Sequence, residues 1–211
     1  MHPIIQKLPV RLKQPLPGPL AHEPMRAIPI GSVIPNFTHK IPPKPGSVLI
    51  LLWEEDGEVF FPLTKRQVYT GAHSGQVSLP GGKAEQGEDS IQTALREGEE
   101  EIGVAGNSMK VLGTLSPFFV IPSNFIVVPV VAIVSAIPFF RPDSYEVARI
   151  LKGNVSDLVR QDAVQVKEIV AAGQYNMRAP HFEIEGEVVW GATAMILNEF
   201  RVVWQELAKD E

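Results

Sequence analysis

Four glutamates, Glu97, Glu99, Glu100 and Glu101, fall within five consecutive residues. Like charges three and four residues apart cost an isolated helix about 0.2–0.5 kcal/mol per pair. A cluster this dense, just after Gly81-Gly82, calls for a positive partner. Oxygen-only donors suit Mg²⁺ or Mn²⁺. Gly81 and Gly82 carry no side chain, so backbone can approach the same spot. The chemistry implied is metal-assisted hydrolysis of a phosphoanhydride, in which the cation neutralises phosphate oxygens and activates water. The competing reading is a solvated acidic helix face.

A helix must carry these carboxylates. Asp89 and Gln92 form a capping-box pattern, and Gly103 is a natural stop. The spacing predicts a helix over residues 90–102. At about 100° per residue, Ile91, Ala94, Leu95, Gly98 and Ile102 form an apolar stripe for the core. Glu97, Glu100 and Glu101 lie on an arc centred roughly 120° from it, with Arg96 one turn before Glu100. Glu99 points to solvent.

The elements around this helix are mixed. Residues 47–53 (SVLILLW) read as a buried strand, and Asp56-Gly57 as a hairpin turn into residues 58–65. Pro62 marks an edge or bulge. Residues 76–79, 110–115, 124–134, 164–170 and 182–190 also read as strands, with Pro129 at a bulge. Residues 144–151 and 155–159 read as short helical or turn segments. Residues 190–207 repeat apolar side chains at helical spacing. Strands come in runs, which indicates an α+β fold, an α/β/α sandwich with a mixed sheet between helices. Residues 1–46 are proline-rich and read as an extended arm with a short helix around residues 21–27; residues 47–211 form the domain.

Composition narrows the function class. The 211 residues hold 45% apolar and 20% charged side chains, as soluble globular chains do. The absence of cysteine excludes disulfides, zinc-thiolate sites and thiol nucleophiles and fits a reducing, cytoplasmic location. A net charge of −5 argues against nucleic acid as a partner. The longest apolar run, residues 125–134, is about half of what a membrane helix needs. The N-terminal residues do not form a signal peptide. The arm is a candidate for contacts in a homodimer.

The central stretch resembles the Nudix box, G-x5-E-x7-R-E-U-x-E-E-x-G-U with U apolar. The matching residues are Gly82, Glu88, Arg96, Glu97, Glu100, Glu101, Gly103 and Val104, with Gly98 in place of the usual aliphatic. The resemblance implies the Nudix fold and hydrolysis of a nucleoside diphosphate linked to another moiety. It implies that Glu97, Glu100 and Glu101 hold the metal with the backbone of Gly81 or Gly82. Arg96 would orient Glu97, and Glu88 would support the loop. The general base is open among Glu100, Glu101, Glu146 and Glu187.

The segment before the box resembles the coenzyme A pyrophosphatase pattern L-L-T-x-R-[SA]-x3-R-x3-G-x3-F-P-G-G. Leu63, Thr64, Arg66, Gly75, Pro80, Gly81 and Gly82 match it. Pro62, Gln67, Gly71 and Leu79 depart from it, and Gly71 removes a cation. This resemblance implies coenzyme A or acyl-coenzyme A as substrate. Lys65, Arg66, His73, Gly82 and Lys83 are the candidate phosphate-binding residues. Rival expectations are an ADP-ribose or other nucleotide-conjugate pyrophosphatase, and a non-catalytic nucleotide-sensing module. Trp190, Phe118 and Phe119 either line the cleft or pack in the core.

Overall fold

A computed structural model describes residues 1–67 and 75–209. The chain opens with helices α1 (Pro3–Arg11) and α2 (Pro19–His22) and a short strand β1 (Ile28–Pro29). The expected extended arm is therefore partly helical. Pro3 sits in the first turn, where its missing N–H costs nothing, and the His2 ring accepts from Ile4 N at 3.3 Å. Ile4, Ile5, Leu8 and Leu12 repeat at helical spacing and are buried against the last helix. That burial overrides the cost of Pro9 inside the helix.

Strand β2 (Lys44–Glu55) turns through Asp56-Gly57 into β3 (Glu58–Arg66). Strands β4 (Val77–Ser78) and β5 (Gly81–Lys83) lead into helix α3 (Ser90–Ile102). Then follow β6 (Lys110–Thr114), β7 (Phe118–Val120), β8 (Phe125–Ile133), β9 (Val147–Asn154) and the short helix α4 (Val155–Leu158). Strands β10 (Val164–Ala171), β11 (Tyr175–Ile184) and β12 (Glu187–Trp190) precede the closing helix α5 (Gly191–Lys209).

Strand β2 is the spine of the larger, mixed sheet. It runs parallel to β8, and pairs antiparallel with β5 near its start and β3 at its end. Strands β6 and β7 add to β8, while β3 diverges to pair with β4 and β9. Leu49, Leu51 and Trp53 pack with Ala94 and Ile102 of α3. Ile50 and Leu52 share the opposite core with Leu8, Phe200 and Trp204. Both faces are covered, so β2 reads as an uninterrupted apolar run. A smaller antiparallel sheet has β11 between β10 and the pair β1 and β12. The α+β class with a mixed sheet between helices is the architecture observed.

Pro62 and Pro129 both sit at breaks in pairing. Pro62 pairs with Lys152 of β9 after β2 has left β3. Pro129 pairs with Val48 and lies between the β6 and β7 registers.

Three expectations need correction. Residues 147–154 are a strand, not a helix or turn: Val147, Leu151 and Gly153 are buried on one face, and a spacing of four satisfies both periods. Gly153 lies where a Cβ would meet the Phe61 ring at 2.4 Å, so only glycine lets β9 lie this close. Residues 182–190 are two strands, split by a turn at Glu185-Gly186 with φ of 49° and 78°. Helix α3 is rotated from the predicted stripe. Its buried residues are Thr93, Ala94, Gly98, Glu101 and Ile102, and Ile91 is exposed. Glu101 thus lies inside the buried arc rather than at its rim.

Candidate active site

Helix α3 is held at both ends as its sequence predicts. Gln92 N donates to Asp89 Oδ1 at 2.8 Å, and Asp89 N donates to Gln92 Oε1 at 2.9 Å. Gly103 closes the helix in the left-handed conformation, with φ of 70°. Gly98 explains the helix's close seat: a Cβ there would meet Leu49 Cδ2 at 2.5 Å, so Leu49 fills the space of the usual aliphatic. Gly82 does the same for the site, since a Cβ there would lie 2.5 Å from Glu97 Oε2. Glu99 accepts from Gly106 N at 2.8 Å and stands outside the cleft.

Arg96 organises the carboxylates. Its Nε and Nη2 donate to Glu88 at 2.6 and 3.0 Å, and Nη2 also donates to Lys83 O at 3.1 Å. Its Nη1 donates to Glu97 Oε1 and Glu100 Oε2, both at 3.0 Å. Glu88 also accepts from Glu85 N and Thr93 Oγ1. The Arg96 fork, helped by these donors, holds the Glu88 carboxyl down at about 2. Glu88 therefore ties loop to helix, the supporting role the resemblance implied.

Glu97, Glu100, Glu101, Asp143, Tyr145 and Glu146 line a cleft of about 340 Å³. Glu101 is 5% exposed; Thr64 Oγ1 donates to it at 3.4 Å, and the Gly81 N–H also donates to it. Burial pushes its carboxyl up to about 7, Arg66 opposes that, and the charges of Glu146 and Glu97 add to it. Burial also raises Glu97, against Arg96 and with Glu100 and Glu146. The cleft thus concentrates more negative charge than its two arginines neutralise. Among the described residues no three acidic or histidine side chains already converge as a cage, and Arg96 pairs with both Glu97 and Glu100. An all-oxygen, charge-rich donor set of this kind fits a hard divalent cation.

The predicted site residues separate into groups. Glu97, Glu100, Glu101, Arg96, Gly81 and Gly82 come together, and Arg66 acts electrostatically on Glu101. Lys65 does not stand free: its Nζ pairs with Glu187 at 2.7 Å, which also draws Glu187 away from a base role. Lys83 is exposed and contributes its carbonyl to Arg96. His73 and Gly71 lie outside the described residues. Trp190 is half-buried, at the end of β12.

The loop after β8 adds what sequence reasoning gave little weight. Asp143 N donates to Glu101 O at 3.1 Å, fixing this loop to the end of α3. Asp143 Oδ1 accepts from Tyr145 N at 2.8 Å and Glu146 N at 3.0 Å. Gln67 N donates to Glu146 O at 3.0 Å, and Gln67 Nε2 to Ser144 O at 3.0 Å. The available signal was the Asp143-Ser144-Tyr145-Glu146 run, an Asx-turn pattern that presents Glu146.

Fold and site together are those of a Nudix-type hydrolase, and comparison with known proteins agrees. The NUDIX domain model matches residues 43–180. The chain is 37% identical over 164 residues to Nudix hydrolase 22, chloroplastic, of Arabidopsis thaliana, covering 74% of this chain and 53% of that protein. It is 35% identical over 137 residues to the uncharacterized Nudix hydrolase NudL of Yersinia enterocolitica, covering 64% of this chain and 69% of that one. It therefore spans about half of the plant relative and about two thirds of the bacterial one. The crystal structure of a Nudix hydrolase from M. smegmatis, RenU, superposes with a TM-score of 0.51 at 16% identity, over 81% of this chain and 86% of that one. The chain belongs to the Nudix hydrolase family.

Proposed function

We propose that this chain hydrolyses the diphosphate bridge of a nucleoside diphosphate linked to another moiety, and that coenzyme A or acyl-coenzyme A is its substrate. The observation that carries the reaction is the convergence of Glu97, Glu100, Glu101 and Glu146 on one cleft. Glu97, Glu100 and Glu101, with the Gly81 backbone, would hold Mg²⁺ or Mn²⁺. Bound there, the cation supplies charge neutralisation at the phosphates and a lowered pKa for water. Arg96 keeps Glu97 and Glu100 oriented, and Arg66 offers a bidentate grip on a phosphate. Glu146, beside Glu101 and held by its Asx-turn, would take a proton from the attacking water. Water adds across P–O–P, leaving one phosphate of the bridge on each product: 3′,5′-ADP, which keeps its 3′-phosphate as well, and (acyl)phosphopantetheine.

The substrate part rests on the pattern from Leu63 to Gly82, whose Thr64 and Arg66 both act on Glu101. Incubation with Mg²⁺ or Mn²⁺ and a panel of coenzyme A, acyl-coenzyme A and ADP-ribose tests it by mass analysis of products. Coenzyme A cleaved fastest supports the assignment. ADP-ribose cleaved far faster overturns the substrate. No cleavage of any diphosphate, with Glu101→Gln binding ligands as wild type does, overturns the reaction. A cytoplasmic location and a homodimer belong to the same proposal; sedimentation of the full chain tests the latter. Among the described residues no helix is long and apolar enough to cross a membrane.

A further inference from the structure

Ser47 is 1% exposed, and among the described residues its Oγ has no hydrogen-bond partner. A buried hydroxyl left unpaired is costly, so its position calls for a reason. Ser47 lies on β2 directly opposite Gly82 in the antiparallel pairing with β5. Residues directly opposite in such a pair project to the same face, with Cβ positions about 4.5–5.5 Å apart. On that face the Cβ position of residue 82 lies 2.5–2.6 Å from the Glu97 carboxylate. Leu49, the next residue on this face of β2, packs beneath α3 at Gly98, one position after Glu97. Ser47 therefore lies on the face of β2 that α3 covers, the face on which the Glu97 carboxylate sits. Glu97 Oε1 accepts from Arg96, while the Ser47 hydroxyl has no partner among the described residues.

We propose that Ser47 is a positioning residue for Glu97, its Oγ donating to the Glu97 carboxylate when a divalent cation is bound. The proposal rests on the reading of Glu97 as a metal ligand. A neutral donor there would hold the carboxylate's orientation without competing for the charge, as Arg96 does. Outer-shell partners of this kind typically change metal affinity by about 10–100-fold.

The test is Mn²⁺ binding to the full chain, followed by electron paramagnetic resonance, for wild type, Ser47→Ala, Ser47→Thr, Glu97→Gln and Ser47→Ala/Glu97→Gln. Thermal unfolding without metal is measured in parallel. Ser47→Ala should weaken Mn²⁺ binding about 10-fold or more, while its metal-free melting temperature stays level or rises. Ser47→Thr should recover part of the affinity. Adding Ser47→Ala to Glu97→Gln should change nothing further. Wild-type affinity in Ser47→Ala, with Glu97→Gln weakened, overturns the role of Ser47 alone. Unchanged binding in Glu97→Gln overturns the metal-ligand reading itself. A lower melting temperature in Ser47→Ala with unchanged Mn²⁺ affinity assigns the hydroxyl to packing and overturns the proposal.

Discussion

The strand at Gly82 and the carboxylate of Glu97 are in direct contact: a Cβ on residue 82 would sit 2.5 Å from Glu97 Oε2. Glycine at this position decides where the carboxylate stands. Gly82→Ala must push Glu97 off its place by a large part of an ångström. Misplacement of that size costs about 100-fold in rate. The expected result is a kcat/KM lower by about that factor, with far-ultraviolet circular dichroism unchanged. Near-wild-type turnover would show that the position of Glu97 is not critical.

Glu101 makes metal-free stability depend on pH. Its folded value of about 7 lies above the ordinary glutamate value of 4.5. The stability it contributes is whole below about pH 4.5 and is lost as pH rises through about 7, at up to about 1.4 kcal/mol per pH unit. Glu101→Gln, neutral throughout, should lose less stability over that window in the presence of EDTA. Mg²⁺ should stabilise wild type more than the variant at about pH 8. Thermal unfolding with EDTA and with Mg²⁺ reads both effects; parallel pH curves for the two proteins would refute them.

Glu88 acts in the opposite direction. Its hydrogen bonds to the Arg96 fork lower it from 4.5 to about 2. Its contribution is present above about pH 4.5 and is lost as pH falls through about 2. Glu88→Gln should therefore have a shallower acid limb in an unfolding titration. Arg96→Lys should not restore what Arg96→Ala loses, because an ammonium cannot reproduce two parallel bonds to Glu88. Full activity in Arg96→Lys would contradict this.

The central helix, its caps and the grouping of Glu97 and Glu100 beside Arg96 were legible in the sequence because each depends on spacing within a few turns. Strands β2 and β8 were legible because both faces are buried over residues 49–53 and 129–133. The helix's rotation was not: Glu101 is buried because Thr64 and Gly81 meet it from other strands, and no helical wheel contains them. The place of Glu146 was equally hidden, since it depends on Asp143 bonding to Glu101 and on Gln67 bonding to the loop. Helix α1 was masked by prolines whose cost is offset by tertiary burial of Ile4, Ile5 and Leu8.

Glu199 is fully buried in α5 and gathers donors from two separate segments, the α2 turn and the residues around Ser116. Gly18 N lies at 3.0 Å, Ser116 Oγ at 2.6 Å and His22 Nε2 at 3.0 Å. Burial alone would raise its carboxyl, but these partners more than reverse that and hold it below the usual range. Glu199→Ala leaves them without an acceptor and should destabilise the fold by about 3–5 kcal/mol. Denaturant unfolding measures the loss. Limited proteolysis should show earlier cutting within residues 12–25. A loss under about 1 kcal/mol would mean the cluster is not a clamp.

Helix α1 and helix α5 lie at opposite ends of the described chain yet share one core, joined further by Arg11 to Glu206 at 2.6 Å. A ribosome releases residues 3–25 long before residues 191–209. Ile5, Leu8 and Met25, all fully buried in the finished fold, must therefore wait with their apolar surface uncovered. The closing step of folding can happen only after α5 has emerged. A nascent chain stalled before residue 191 should accordingly be a good client for holdase chaperones.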